Sequence, residues 1–190
     1  MELILSICLG IGLAAACGFR VFIPLFLASI LSYFDIGTFG ITDSFEWIGS
    51  LPALLTFGIA SLVEVFAYYI PFVDNALDSI AVPLATISGT LITMSTMLEL
   101  EPLVQWSIAL IAGGGIAGMI KGSSAGTRLV SSGTTGGLAN PIVSTAETSA
   151  SIGISFLAWF FPFLGIAVVL IILFVLYRII KRFRRKKAEP

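Results

Sequence analysis

The sequence predicts an all-α protein: a polytopic transmembrane helical bundle of about six spans, built as a 3+3 inverted repeat with a Gly/Ser/Thr-rich re-entrant segment. Three observations predict it. Of 190 residues, 57% are hydrophobic and 11% charged, with a mean hydropathy of +1.06, whereas a soluble domain carries roughly 25% charged residues. Apolar runs recur at about the 20-residue length that crosses a bilayer. Glycines recur at four-residue steps, which lets one helix backbone approach another closely.

The runs are 4–31, 51–70, 80–98, 103–121, 142–160 and 163–180. The first is long enough to tilt, or to break near Gly18 and Pro24. "LAAAC", ending at Cys17, loosely resembles a lipoprotein signal, but only Glu2 precedes the apolar run and the run continues past Cys17, so it reads as a retained helix. Pro162 and Gly165 in "FFPFLG" supply a tight turn between the last two runs. In a five-span alternative 142–155 is re-entrant and 156–180 is one long helix; six spans are preferred. The chain then divides into one membrane domain, 1–178, with halves of about 1–98 and 99–178, and a basic tail, 179–190.

Seven of the ten Lys and Arg residues lie between Arg178 and Lys187, which places the C-terminus in the cytoplasm. Six spans return the N-terminus to the same side. The loops then placed outside carry Asp35, Asp43, Glu46, Glu99 and Glu101 and no cation. The expected location is the bacterial cytoplasmic (inner) membrane. The tail reads as an anchor on anionic lipid. No aromatic-rich module accompanies it, so nucleic acid is not an expected partner.

Gly114, Gly118, Gly122 and Gly126 form a chain of GxxxG steps, and Gly10, Ala14 and Gly18 form another. Overlaying "GIGLAAACGFRVF" on "GMIKGSSAGTRLV" matches small residues with small ones and Arg20 with Arg128. "YYIPFVD" echoes "WFFPFLG". Three spans per half is an odd number, so the halves would face opposite ways, with a binding site where they meet. The GxGxxG match at Gly113–Gly118 follows no strand and has no acidic residue about 20 positions on, so it is not a dinucleotide site.

Arg20, Glu64, Arg128 and Glu147 fall within or beside spans, where a charge costs about 2.5–3.5 kcal/mol or more and marks function. Glu64 and Glu147 share a level, roughly 8–10 Å from the cytoplasmic face. Arg20 lies roughly 24 Å along the first span, towards the outer half. Arginines near both faces would suit an anion that visits each side. Hydroxyl stripes at Ser144, Thr148, Ser151, Ser155 and at Thr86, Thr90, Thr93 fit a wet interior, although helix-helix glue explains either alone. Asp78 would cap the third span. Both Asp74 and Asp78 could instead bind a cation or the Lys and Arg of the glycine-rich stretch; the capping role is preferred for Asp78 and Asp74 is left open.

That stretch, "KGSSAGTRLVSSGTTGGLANP", reads as the re-entrant segment, with 122–141 folded into the protein. Free amides around Gly133, Gly136 and Gly137, with Thr134, Thr135, Asn140 and Arg128, would gather the donors an oxyanion needs. There is no histidine, no metal-ligand spacing and no nucleophile–base pair, so no metal, cofactor or enzymatic activity is expected.

"GFRVFIPL", "IPFVDNALD" and "AGTRLVSSGTTGGLANPIVSTAE" together resemble a family of small bacterial integral membrane proteins catalogued only as a domain of unknown function, serial number four-one-two-six. The resemblance runs to about residue 175. It implies a multi-span membrane domain and places weight on Arg20, Asp74, Asp78, Arg128, Asn140 and Glu147. It brings no activity. From the residues, the expected function is a transporter or flippase for an anionic, phosphate- or carboxylate-bearing substrate, with a lipid-linked head group among the candidates. Arg20, Arg128, Asn140, Thr134 and Thr135 would bind it; Glu64, Glu147, Asp74 and Asp78 would couple protons or balance charge. The alternatives are an ion channel lined by the same stripes, and a membrane scaffold or homo-oligomer held by the glycine stripes.

Overall fold

A computed structural model describes residues 1–37, 40–70, 73–98 and 100–186; Glu99 and Lys187 lie outside them. The protein is 87% helical, with no strand among the described residues. Its helices are α1 (Glu2–Phe19), α2 (Phe22–Tyr33), α3 (Leu51–Ala67), α4 (Val73–Thr96), α5 (Pro102–Ile108), α6 (Gly115–Thr135), α7 (Asn140–Phe160) and α8 (Pro162–Lys186). A 3-10 turn, Asp43–Gly49, precedes α3, and a π segment, Ala109–Gly114, joins α5 to α6 in one helix of 34 residues.

Among the described residues, three helices are long and apolar enough to cross a membrane: Glu2–Phe19, Ala76–Thr96 and Pro102–Thr135. The 3-10 turn and α3, bent by 61°, make a fourth if taken as one span. Pro162–Arg178 and α2 are apolar but shorter. In α7, Ser144, Glu147, Ser151 and Ser155 point inward and are buried, which lowers its hydropathy. Ile59, Val63, Phe66, Leu103, Ile111 and Leu170 instead cover the outside.

The centre is α1, packed against α4, α6, α7 and α8. Residues 12–18, "GLAAACG", are all buried, because side chains this small let neighbouring helices close in on several faces. Position by position, α1 runs antiparallel to α7: Gly12 lies on Ala158, Ser151 Oγ donates to Ala16 O at 3.1 Å, and Arg20 Nη2 donates to Ser144 O at 3.0 Å. α4 and the π segment that leads into α6 cross backbone to backbone at Gly89 and Gly113.

The run 4–31 is not one span. Arg20 is extended (φ −136°, ψ 125°), and the chain reverses there. Thereafter α2 runs back beside α1 and antiparallel to α3, with Val21 level with Glu64, Phe26 with Gly58 and Ser32 with Gly49. The segment after α2 ends beside Trp159, whose Nε1 donates to Ile36 O at 2.9 Å. Ser6, Ile36, Ser95 and Trp159 therefore share the N-terminal end of the bundle, and Arg20, Glu64, Asp78, Arg128 and Glu147 lie towards the other. With α8 running from Gly165 beside Ala158 to Leu176 beside Phe19 and Val143, the two termini leave from opposite ends, not the same one. Hydropathy carries no record of chain direction, which is why the reversal was invisible in composition.

The inverted repeat fails for the same reason. Gly10 and Gly113 both lie on Thr93, and Lys121 Nζ donates to Phe19 O at 3.1 Å, so α1 and α6 run parallel. Segments related by inversion would run oppositely.

The re-entrant segment is also corrected. Residues 115–135 are helical, and only a four-residue turn with Gly136 at φ 64° separates α6 from α7. In apolar surroundings a helix satisfies every amide internally, which outweighs the weak helix propensity of Gly, Ser and Thr.

Candidate functional site

The extended link at Arg20 leaves two helix ends inside the bundle, and each meets a charge of the right sign. The Glu64 carboxylate accepts from Val21 N at 2.8 Å and from Phe22 N at 3.0 Å, capping the positive end of α2. Lys121 Nζ, fully buried, donates to the Phe19 carbonyl at the negative end of α1. Glu64 was expected to couple protons or balance charge; each of its oxygens accepts from a backbone amide. It shares a level with Glu147, as the spacing suggested, since both flank the Arg20–Val21 link.

Around this link the charges converge. Arg20 Nε donates to Thr148 Oγ1 at 3.1 Å, its Nη2 also meets Ser144 Oγ, and Glu147 Oε2 lies 3.6 Å away. Arg128 Nη2 pairs closely with the same Glu147 oxygen, and its Nη1 lies 3.7 Å from Asp78 Oδ1. The two arginines therefore share one counter-ion; they do not sit near opposite faces. Asp78 falls in the second turn of α4, facing Arg128, and caps nothing.

One ring organises the cations. The Tyr68 ring centroid is 4.2 Å from the Arg20 guanidinium carbon, 4.0 Å from that of Arg128 and 4.8 Å from Lys121 Nζ. All three cations are 0% exposed, where an aromatic face is worth about 2 kcal/mol or more to a desolvated cation. Arg20 Nη1, Arg128 Nε and Nη1, Glu147 Oε1 and Asp78 Oδ1 are buried without a hydrogen-bond partner among the described residues. Donors and acceptors are both in surplus at one place.

Asp74 and Asn140 form a separate tether. Asn140 Nδ2 donates to Asp74 Oδ2 at 2.6 Å and to Ser132 Oγ at 3.2 Å, pinning the start of α4 to the α6–α7 turn. Thr134 and Thr135, expected on the substrate, donate to Val130 O and Ser131 O at 2.8 Å and stay outside the charged centre. Gly10, Gly18, Gly114 and Gly118 do pack against neighbouring helices. Gly122 and Gly126 have nothing within 4 Å of a built Cβ and take no part. The threonine stripe of α4 is glue: Thr86, Thr90 and Thr93 bond to carbonyls one turn back and fit those glycines. The α7 stripe is mixed, because Ser144 and Thr148 hold Arg20 while Ser151 holds α1.

Tyr68 and Lys121 were not expected in the site. Their only sequence signal was position, at helix ends level with charges carried by other spans.

Two grooves flank the centre. One, of about 480 Å³, lies between α3 and α4 and ends on Glu64 and Tyr68. The other, of about 450 Å³, lies among α6, α7 and α8 and ends on Glu147.

No curated protein and no solved structure shows significant similarity to the chain. A family model does match, over residues 7–182, and its description is "Domain of unknown function (DUF4126)". The chain belongs to that family.

Proposed function

We propose that the protein carries an anionic, phosphate- or carboxylate-bearing substrate together with a proton across the bacterial cytoplasmic membrane, as a secondary transporter or flippase. The observation behind this reading is the shared counter-ion: two fully buried arginines converge on Glu147 while three of their nitrogens have no hydrogen-bond acceptor among the described residues. Buried ion pairs can often be replaced by apolar residues at no loss of stability. A cluster of Arg20, Lys121 and Arg128 with Glu64, Asp78 and Glu147 in an apolar bundle is therefore better explained by use than by folding.

The chemistry follows from charge balance. An anion reaching Arg20 and Arg128 competes with Glu147. A proton taken up by the Glu147 carboxylate removes the competitor and leaves the net charge of the site unchanged when the bound anion is singly charged. The guanidinium N–H groups then turn from Glu147 to the substrate oxygens, and release reverses both steps. The α1–α2 link supports the reading, because it brings one helix C-terminus and one helix N-terminus to the charged centre inside the bundle, and helix ends inside the bundle surround the substrate in many transporters. With the basic tail cytoplasmic, this reading would put the N-terminus outside and the charged centre nearer the cytoplasm.

The test uses the full chain in proteoliposomes under an imposed pH gradient. Uptake of inorganic phosphate and of small carboxylates is measured beside leaflet exchange of a fluorescent anionic phospholipid. At least one is expected to move faster than in empty liposomes, to stop in Arg128→Gln and to lose its dependence on the gradient in Glu147→Gln. Movement that is indifferent to Arg128→Gln overturns the proposal, as does no movement at all.

A further inference from the structure

The geometry points to a binding site for a phosphate-bearing lipid, with one acyl chain in the α3–α4 groove and the phosphate at Arg20 and Arg128 behind Tyr68. This rests on the reading of the charged centre as an anion site and names the class of anion.

The groove has the dimensions of a chain rather than of an ion. It follows α3 from Thr56 to Tyr68, thirteen residues, or about 18 Å between the first and the last along a helix, close to the about 15 Å that one leaflet contributes to a 30 Å hydrocarbon core. Its volume of about 480 Å³ lies in the range of small-molecule sites, about 300–1,000 Å³. Its walls are Ile59, Val63, Leu77, Ile80 and Leu84, and the rim residues Ile59 and Val63 are more than 60% exposed on the flank of the bundle. Such a groove opens sideways to hydrocarbon.

Thr56, at one end of the lining, donates its hydroxyl hydrogen to Pro52 O at 2.7 Å, and the remaining polar groups gather at the other end. Glu64 and Tyr68 close the groove there, and the other face of the site is the pair of guanidiniums stacked on that same tyrosine. A free phosphate travelling along these walls would lose its water and gain nothing in return. A molecule with an apolar tail and an anionic head satisfies both ends, the tail on the wall and the head through charge-assisted bonds from Arg20 Nη1 and Arg128 Nη1 and Nε. Depth agrees: the centre sits at Ser144–Thr148, four to eight residues into α7, or about 6–12 Å, so a head group sinks by only one or two helical turns. Both guanidiniums are fully buried, so Tyr68 is the partition that swings aside to admit the phosphate.

The test is photolabelling of the purified full chain in mixed micelles by phosphatidic acid with a diazirine on its acyl chain, mapped by peptide mass. A diacylglycerol with the same chain serves as the headless control. Labelling of 56–67 and 77–84 is expected, roughly ten-fold or more above the control, the factor that about 1.4 kcal/mol of head-group recognition yields. Arg128→Gln and the groove-filling Ala60→Trp should each reduce it to the control level. Leu62→Trp, exposed on the same helix but outside the groove lining, should leave it in place, and Ala67→Phe repeats the obstruction should Ala60→Trp not fold. Inorganic phosphate should not compete. Equal labelling by diacylglycerol would mean ordinary boundary lipid and overturns the inference. Labelling confined to the α6–α7–α8 groove also overturns it. Competition by inorganic phosphate with no tail dependence overturns the lipid assignment but leaves the anion site standing. Labelling blind to Arg128→Gln, joined to no transport in liposomes, removes both.

Discussion

Replacing Glu147 by alanine withdraws the carboxylate that Arg20 and Arg128 share. The two arginines do not lose equally. Arg128 keeps Asp78 at 3.7 Å, while Arg20 loses the one carboxylate within ion-pair distance of it among the described residues, at 3.6 Å. A unit-charge pair at that separation, with the effective dielectric constant of about 20 that suits protein sites, is worth about 4–5 kcal/mol. Measured losses on breaking buried pairs, about 3–5 kcal/mol, agree. Glu147→Ala should therefore remove about 3–5 kcal/mol from a total that is about 5–15 kcal/mol in most proteins. Glu147→Gln, which keeps the shape and one acceptor, should cost less. The assay is reversible denaturation in detergent micelles followed by helical circular dichroism. Arg128→Met completes a double-mutant cycle, in which the double variant should be more stable than the sum of the single losses by about 0.5–3 kcal/mol. A Glu147→Ala protein within about 0.5 kcal/mol of the original, or strict additivity with Arg128→Met, would refute the shared counter-ion.

Glu64→Ala frees the Val21 and Phe22 amides, at about 1–3 kcal/mol for buried groups left unpaired; faster hydrogen exchange at the start of α2 is the expected signature, and unchanged exchange would contradict the cap. Tyr68→Leu should destabilise by about 2 kcal/mol through the lost ring face, whereas Tyr68→Phe should sit within about 0.5 kcal/mol of the original in the same denaturation assay. Gly113→Ala meets Gly89 O at 2.7 Å and should cost about 1–3 kcal/mol by overpacking. Gly126→Ala, with open space around it, should gain up to about 1 kcal/mol in helix propensity; equal effects at the two glycines would contradict the packing. Glu2→Cys and Arg182→Cys should react with an impermeant maleimide from opposite sides of the membrane, and labelling from one side would contradict the reversal at Arg20.

Much of the helical layout was legible in the pattern of apolar residues. The starts of α3, α7 and α8 fall within two residues of the runs at 51, 142 and 163. The charged side chains were legible as a set, because hydrocarbon penalises each of them singly. Their pairing was not. Arg20 belongs with Glu147 across more than a hundred residues of sequence, and Glu64 with backbone amides that carry no side-chain signature. The glycine-rich stretch misled because soluble-protein propensities favour a loop there, whereas backbone shielded from water favours a helix.

By itself the sequence determined the class of the protein, an apolar helical bundle, and the short list of ions embedded in it, because burial in hydrocarbon is a local demand that each residue answers alone. Tertiary structure decided that the chain turns back at Arg20, that α1 and α6 run parallel, and that Tyr68 and Lys121 join the arginines. Those are relations between distant segments. They depend on how small side chains let backbones approach and on which charge meets which helix end, and neither is fixed by any stretch of the chain taken alone.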